Sequence, residues 1–175
     1  MIGKLWTLCV LLCLLGVGHA QTHQQDEWIK YADEGGKFTV LLPAQPEKTS
    51  ETVKGVEVHG LQVTKAPVVC IIAYSDYPAV NTDMDAALSA ERDAFNKPLE
   101  ASIISEKKLK YRKANGDDVP ALDFTAESTK HSSNFKVRIL IDGNRVYVVA
   151  IGSLKTNDTA TEFDRYINSF TLTAK

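Results

Sequence analysis

Asp76, Asn81, Asp83 and Asp85 stand within SDYPAVNTDMD, residues 75–85. Oxygen-bearing side chains grouped in one loop are the chemistry of a calcium site. The spacing here is not that of an EF-hand. The same residues also suit the start of a helix. Asn81-Thr82-Asp83 offers capping oxygens, and Asp83 and Asp85 match the positive end of a helix. Calcium stays open at this loop, and no cofactor or metal is assigned.

A second stretch could act through charge. In EKKLKYRK, residues 106–113, strand periodicity puts Lys108, Lys110 and Arg112 on one face and Leu109 and Tyr111 on the other. The cations could dock an acidic partner or an anionic surface. They could equally guard a sheet edge against pairing with another chain.

DEGGKFTVLLP, residues 33–43, raises the question of a phosphate-binding loop. Such a loop needs glycines on either side of four residues, then Lys and Ser or Thr opening a helix. Here Phe38 follows Lys37 and an apolar alternation begins, so the expectation is a turn whose glycines supply positive φ. No GxSxG, HExxH, CxxC or GxGxxG occurs. His23, His59 and His131 are far apart and read as surface histidines. Cys70 lies in VVCIIA, where a thiol behaves as a small buried apolar group. Trp28, Tyr74 and Tyr147 are aromatic residues that could line a pocket between a helix and a sheet.

The elements that must carry these groups follow from periodicity. EWIKYADEGGKFTVLLP reads as a hairpin, with Trp28 and Tyr31 on the first arm, a turn at Glu34-Gly35-Gly36, and Phe38, Val40 and Leu42 on one face of the second arm up to Pro43. A bend follows at Val53-Lys54-Gly55. Val56 and Val58 are out of phase with Leu61 and Val63, which a bulge at Gly60 would repair. PVVCIIAY (67–74) and RVYVVAIG (145–152) are apolar almost without alternation, as strands covered on both faces are. Met84, Leu88 and Phe95 keep helical spacing, with Pro98 beyond the end. Phe163, Tyr166, Ile167 and Phe170 form a second apolar helix face that starts near Asp158-Thr159. Further strands are predicted at 101–113, 119–129, 134–142 and 145–153, with Asn115-Gly116 and Gly143-Asn144 as hairpin turns.

The first residues read as an address. Lys4 precedes the short apolar run LWTLCVLLCLLGV (5–17), and Gly18-His19-Ala20 offers small residues at both positions a signal peptidase reads. The expectation is a signal peptide at 1–20, a frayed start at 21–26 and one domain over 27–175. The rival is an N-terminal anchor, but the run is short for a bilayer and polar QTHQQDEW follows at once. Cys13 follows Leu12 inside the apolar run, a poor lipidation site. Removing 20 of 175 residues leaves 155, enough for one core, and the loss of Lys4 takes the net charge from −2 to −3. That balance gives no electrostatic reason to seek nucleic acid, and no transmembrane segment remains after the leader. Cys70 alone survives, so no internal disulfide is available.

Trp28…Tyr31, GGKFTVLLP at 35–43, SDYP at 75–78 after a long apolar strand, and the closing FDRYINSFTL at 163–172 together resemble exported bacterial members of the PsbP-like superfamily. That superfamily includes the extrinsic oxygen-evolving PsbP protein and the Ran-binding Mog protein. The resemblance implies an α/β/α sandwich that works by docking on other proteins. It carries no catalytic motif, and neither of those partners suits a chain with a secretory leader.

The expected fold class is therefore α+β, a mostly antiparallel sheet with helices on both faces. The expected function is that of an exported, non-enzymatic domain, in the periplasm or outside the cell, that binds a protein or envelope component. A carrier of small apolar ligands is the alternative.

Overall fold

The computed structural model describes residues 27–78 and 83–173. Residues 1–26, with the leader, His23 and the cleavage position, lie outside them, as does Asn81. The fold is α+β, with ten strands, two helices and antiparallel pairing throughout the described residues. A small sheet holds β1 (Ile29–Asp33), β2 (Phe38–Leu42) and β10 (Thr171–Leu172), in the order β1-β2-β10. A seven-stranded sheet holds β3 (Glu47–Val53), β4 (Val56–Lys65), β5 (Val68–Asp76), β6 (Ala101–Arg112), β7 (Asp118–Ser128), β8 (Ser133–Asp142) and β9 (Arg145–Leu154). Its order is β3-β4-β5-β9-β8-β7-β6, which leaves β3 and β6 as edges.

Helix α1 (Met84–Leu99) starts where Asp83 accepts the Ala86 N–H at 3.0 Å, and it ends on Glu100 in the left-handed region at φ 48°. Pro98 lies inside its last turn, not beyond it as the spacing suggested. Helix α2 (Ala160–Ser169) starts after Thr159, whose hydroxyl bonds Ser153. Successive strand residues point to opposite faces, and the helices join different cores accordingly. Leu88, Phe95 and Leu99 of α1 pack with Val146, Val148 and Ala150 of β9. Phe163, Tyr166 and Ile167 of α2 pack with Tyr147, Val149 and Ile151 of the same strand, together with Phe38, Val40 and Leu42 of the small sheet.

Three further expectations need correction. Gly60 makes no bulge, because β4 keeps unbroken register with β3 and β5. Its two apolar phases serve different environments: Leu61 and Val63 enter the α2-side core, while Val56 and Val58 stay half-buried on the other face. The irregularity falls instead between Ile103 and Ser105 on β6. For the same reason, β5 is not covered equally on both faces: Val69 and Ile71 are only half-buried. Finally, neither Gly35 nor Gly36 is at positive φ, whereas Lys37 is, at 56°. The glycines are needed for space. A Cβ on Gly36 would overlap the Phe38 ring and lie 2.9 Å from Cε1 of Tyr74.

Candidate functional site

The β1–β2 turn rides over the β3–β4–β5 end of the large sheet, and between them opens a cleft of about 650 Å³. Asp33, Gly35, Lys48, Ser50, His59 and Tyr74 are among the residues that line it. Cross-strand register explains the grouping. Ser50 is opposite His59, His59 opposite Tyr74 and Tyr74 opposite Tyr147, so this row shares one face.

Asp33, the last residue of β1, is 7% exposed. Its carboxylate accepts the Gly36 N–H at 2.6 Å, the Lys48 ammonium at 3.0 Å, and the Tyr74 and Tyr31 hydroxyls at 3.3 Å each. Burial alone would raise its pKa. The Gly36 amide and then Lys48 outweigh that and hold it below the ordinary carboxylate range. Tyr74 moves the other way, pushed up to about 12 by burial and by the Asp33 charge beside it. Hydrogen bonds to Tyr31 and Asp33 raise Lys48. The Lys48 ammonium also lies 5.6 Å from the centre of the Tyr31 ring.

The His59 ring stacks on Tyr74 at 4.7 Å, and the Arg145 guanidinium lies 5.1 Å from the same tyrosine ring. Arg145 grips Asp76 with two bonds at 2.7 and 2.5 Å and donates to the Gly35 carbonyl at 2.6 Å. Tyr147 donates to the Gly36 carbonyl at 2.9 Å. The DEGG turn is thus clamped from below by three side chains of the large sheet: Tyr74, Tyr147 and Arg145.

Of the three aromatic candidates, Tyr74 lines the cleft, and Tyr147 lies under the turn with its ring centroid 6.2 Å from that of Tyr74. Trp28 is elsewhere, in the α2-side core with the Arg165 guanidinium 5.0 Å from its ring. Asp33, Lys48 and Arg145 were not singled out from the sequence. Asp33 alone left a local trace, a strand-ending aspartate three residues before a glycine, the pattern of a side chain that bonds a turn amide.

The loop acids disperse. Asp76 goes to Arg145, Asp83 caps α1, and Asp85 pairs with Lys108 at 2.8 Å. Among the described residues no group of three or more metal-ligating His, Cys, Asp or Glu side chains forms.

Lys108, Lys110 and Arg112 lie exposed on β6, while Leu109 and Tyr111 are half-buried against the α2-side core. Lys108 is paired with Asp85 and Arg112 with Asp118, and Glu106 of the same strand takes Arg92 of α1. His131 lies in the β7–β8 turn, and its Nε2 is buried without a partner. Cys70 is 1% exposed, and burial raises its thiol pKa.

The antiparallel α+β arrangement is a PsbP-like fold. The solution structure of cyanobacterial PsbP (CyanoP) from Synechocystis sp. PCC 6803 aligns with 89% of this chain and 98% of its own, at a TM-score of 0.56 and 13% identity. A crystal structure from Bacteroides thetaiotaomicron VPI-5482 aligns with 83% of this chain but only 48% of its own, at a TM-score of 0.38 and 12% identity, and no argument rests on it. No family model matches the sequence, and no curated protein matches it. At such identities the likeness speaks for the fold.

Proposed function

We propose that this protein is an exported domain that works by binding another protein or an envelope component, not by transforming a substrate. The observation that carries the reading is the state of the polar groups in the cleft. The Asp33 carboxylate is saturated by donors and held ionised, and Tyr74 is pushed up to about 12, so neither is poised to move a proton near neutral pH. A carrier of small apolar ligands is less well supported, because Trp28 and Tyr147 are packed in the core and the cleft surface is only about half apolar, with Asp33, Glu34, Lys48 and His59 in its lining.

Three expectations join this reading: cleavage after Ala20, a location in the periplasm or outside the cell, and an α/β/α layering with α1 and α2 on opposite faces of the large sheet. The two separate cores favour the layering. No described helix is long and apolar enough to cross a membrane.

Photo-crosslinkers placed at Ser50 in the cleft and at Lys110 on the β6 edge, in the organism of origin, test the reading. A discrete adduct at one position and not at the other supports docking. Purified protein that carries a stoichiometric lipophilic molecule and gives no adduct at either position supports the carrier instead. A Gln21 N-terminus by intact mass tests the export step; retention of residues 5–17 overturns it.

A further inference from the structure

The two edges of the large sheet are not equivalent. β6 is twelve residues long, broken between Ile103 and Ser105, and its outward charges are largely consumed within the chain. Lys108, Arg112 and Glu106 are held by Asp85, Asp118 and Arg92. Bulges and charges of this kind protect an edge. β3 runs unbroken from Glu47 to Val53 against β4 and is exposed over most of its length. Register with β4, β5 and β9 puts Glu47, Thr49 and Glu51 on the α1 side and Lys48 and Ser50 on the cleft side. Lys48 is taken by Asp33 and Ser50 by Glu57. Glu47 and Glu51 have no ion pair among the described residues.

We propose that the β3 edge takes an extended basic segment of a partner protein as an added antiparallel strand. The inference rests on the docking reading above and names its surface and its partner's chemistry. Backbone bonds to the free edge supply affinity, and alternate side chains supply selectivity. Glu47 and Glu51 are four residues apart on one face, so the matching segment carries Lys or Arg at positions i and i+4. The positions between them that face Lys48 and Ser50 are uncharged, because a cation there meets the Lys48 ammonium. The cleft behind β3, floored by His59 and Tyr74, takes the side chain opposite Ser50.

A second copy of the chain fits less well. Its β6 does present Lys108 and Arg112 at the i, i+4 spacing. Using them breaks two ion pairs already made.

The probe is an acetylated, amidated peptide of sequence Thr-Lys-Thr-Val-Thr-Lys-Thr, with a glutamate-for-lysine counterpart as control. Amide NMR spectra of the isotope-labelled protein are followed as peptide is added, at low and high salt. The expected result is a set of shifts centred on residues 47–53, cross-strand contacts from peptide to β3, loss of binding at high salt and no response to the acidic peptide. Glu47→Lys with Glu51→Lys weakens binding by about tenfold, as two exposed charge pairs are each lost and reversed. Glu47→Gln with Glu51→Gln gives a smaller loss in the same direction, and both variants keep the parent spectrum elsewhere. Equal response to both peptides, no β3 shift at millimolar peptide, or β3 shifts that depend on protein concentration alone overturns the proposal; the last outcome assigns the edge to self-association. A crosslinked partner at Lys110 with a silent β3 overturns this inference and leaves the docking reading standing.

Discussion

Asp33 and Glu91 are each 7% exposed and each takes a tyrosine hydroxyl, yet Glu91 is packed among more protein atoms and their acidities move in opposite directions. Glu91, on α1, accepts from Tyr77 at 3.1 Å and meets no cation among the described residues. Burial dominates and raises its pKa, and the same burial, with Glu91 beside it, pushes Tyr77 up to about 12. Asp33 has a backbone amide, an ammonium and two hydroxyls, and its pKa falls. Depth and donors together set the charge state: Glu91 is packed more deeply and has one donor, whereas Asp33 lies shallower and has four. The two acids therefore do different things. Asp33 is an ionised pin that holds the β1–β2 turn against the sheet, and Glu91 is a carboxyl whose ionisation the fold opposes.

The comparison is most directly broken at the pin. Asp33→Ala leaves the Gly36 amide and the Tyr74 hydroxyl without an acceptor and is expected to lower stability by about 3 kcal/mol in denaturant melts. A loss below about 1 kcal/mol, the worth of one ordinary hydrogen bond, would show that the carboxylate does not hold the turn. Gly36→Ala, which forces a methyl into Phe38 and Tyr74, should cost about 2 kcal/mol by overpacking. Lys48→Met should cost about 1 kcal/mol, since that side chain is 64% exposed and its pairing is screened by water.

The second comparison is in pH. Glu91 has a folded pKa above its ordinary 4.5, so the folded state binds more protons and stability declines as pH rises from about that value through the folded pKa. Asp33 has a folded pKa below its ordinary 3.8, so its contribution is complete above that value and is lost as pH falls through the folded pKa. Unfolding free energies from pH 5 to 8 should carry a downward slope from Glu91 and none from Asp33. Glu91→Gln should flatten the slope and be neutral or stabilising at pH 8. An unchanged slope would mean that Glu91 ionises freely in the folded protein.

Cys70 extends the comparison to a buried acid whose pKa burial alone raises. Thiol reagents should label the native protein slowly and the unfolded protein fast; rapid native labelling contradicts a suppressed thiolate. The smallest effect belongs to exposed pairs. Replacing Lys108, Lys110 and Arg112 by Thr should change folding stability by only about 0.5–1 kcal/mol. If they guard the edge, the variant should aggregate in light-scattering measurements; unchanged solubility would return those cations to a docking role.

The strands and helices were legible because their signals are local. PVVCIIAY and RVYVVAIG announced inner strands, and Asp83 and the Phe163–Phe170 spacing announced the helices. The phase break in β4 was misread as a bulge because periodicity reports which residues are apolar, not what covers each face. With α1 lying over other strands, Val56 and Val58 face a thinly covered surface.

Composition and periodicity by themselves determined that the chain builds a mostly antiparallel α+β core without a catalytic motif. They also placed Lys108, Lys110 and Arg112 on one face of a strand, opposite Leu109 and Tyr111. Only the tertiary structure decided which strands became edges, since strand order depends on pairings between residues as distant as Asp76 and Arg145. It also decided that Asp33 meets Lys48, Tyr74 and Gly36 around one carboxylate. Those donors come from three separate points in the chain, and desolvation acts only once they close around the acid, so no local pattern could report its charge state.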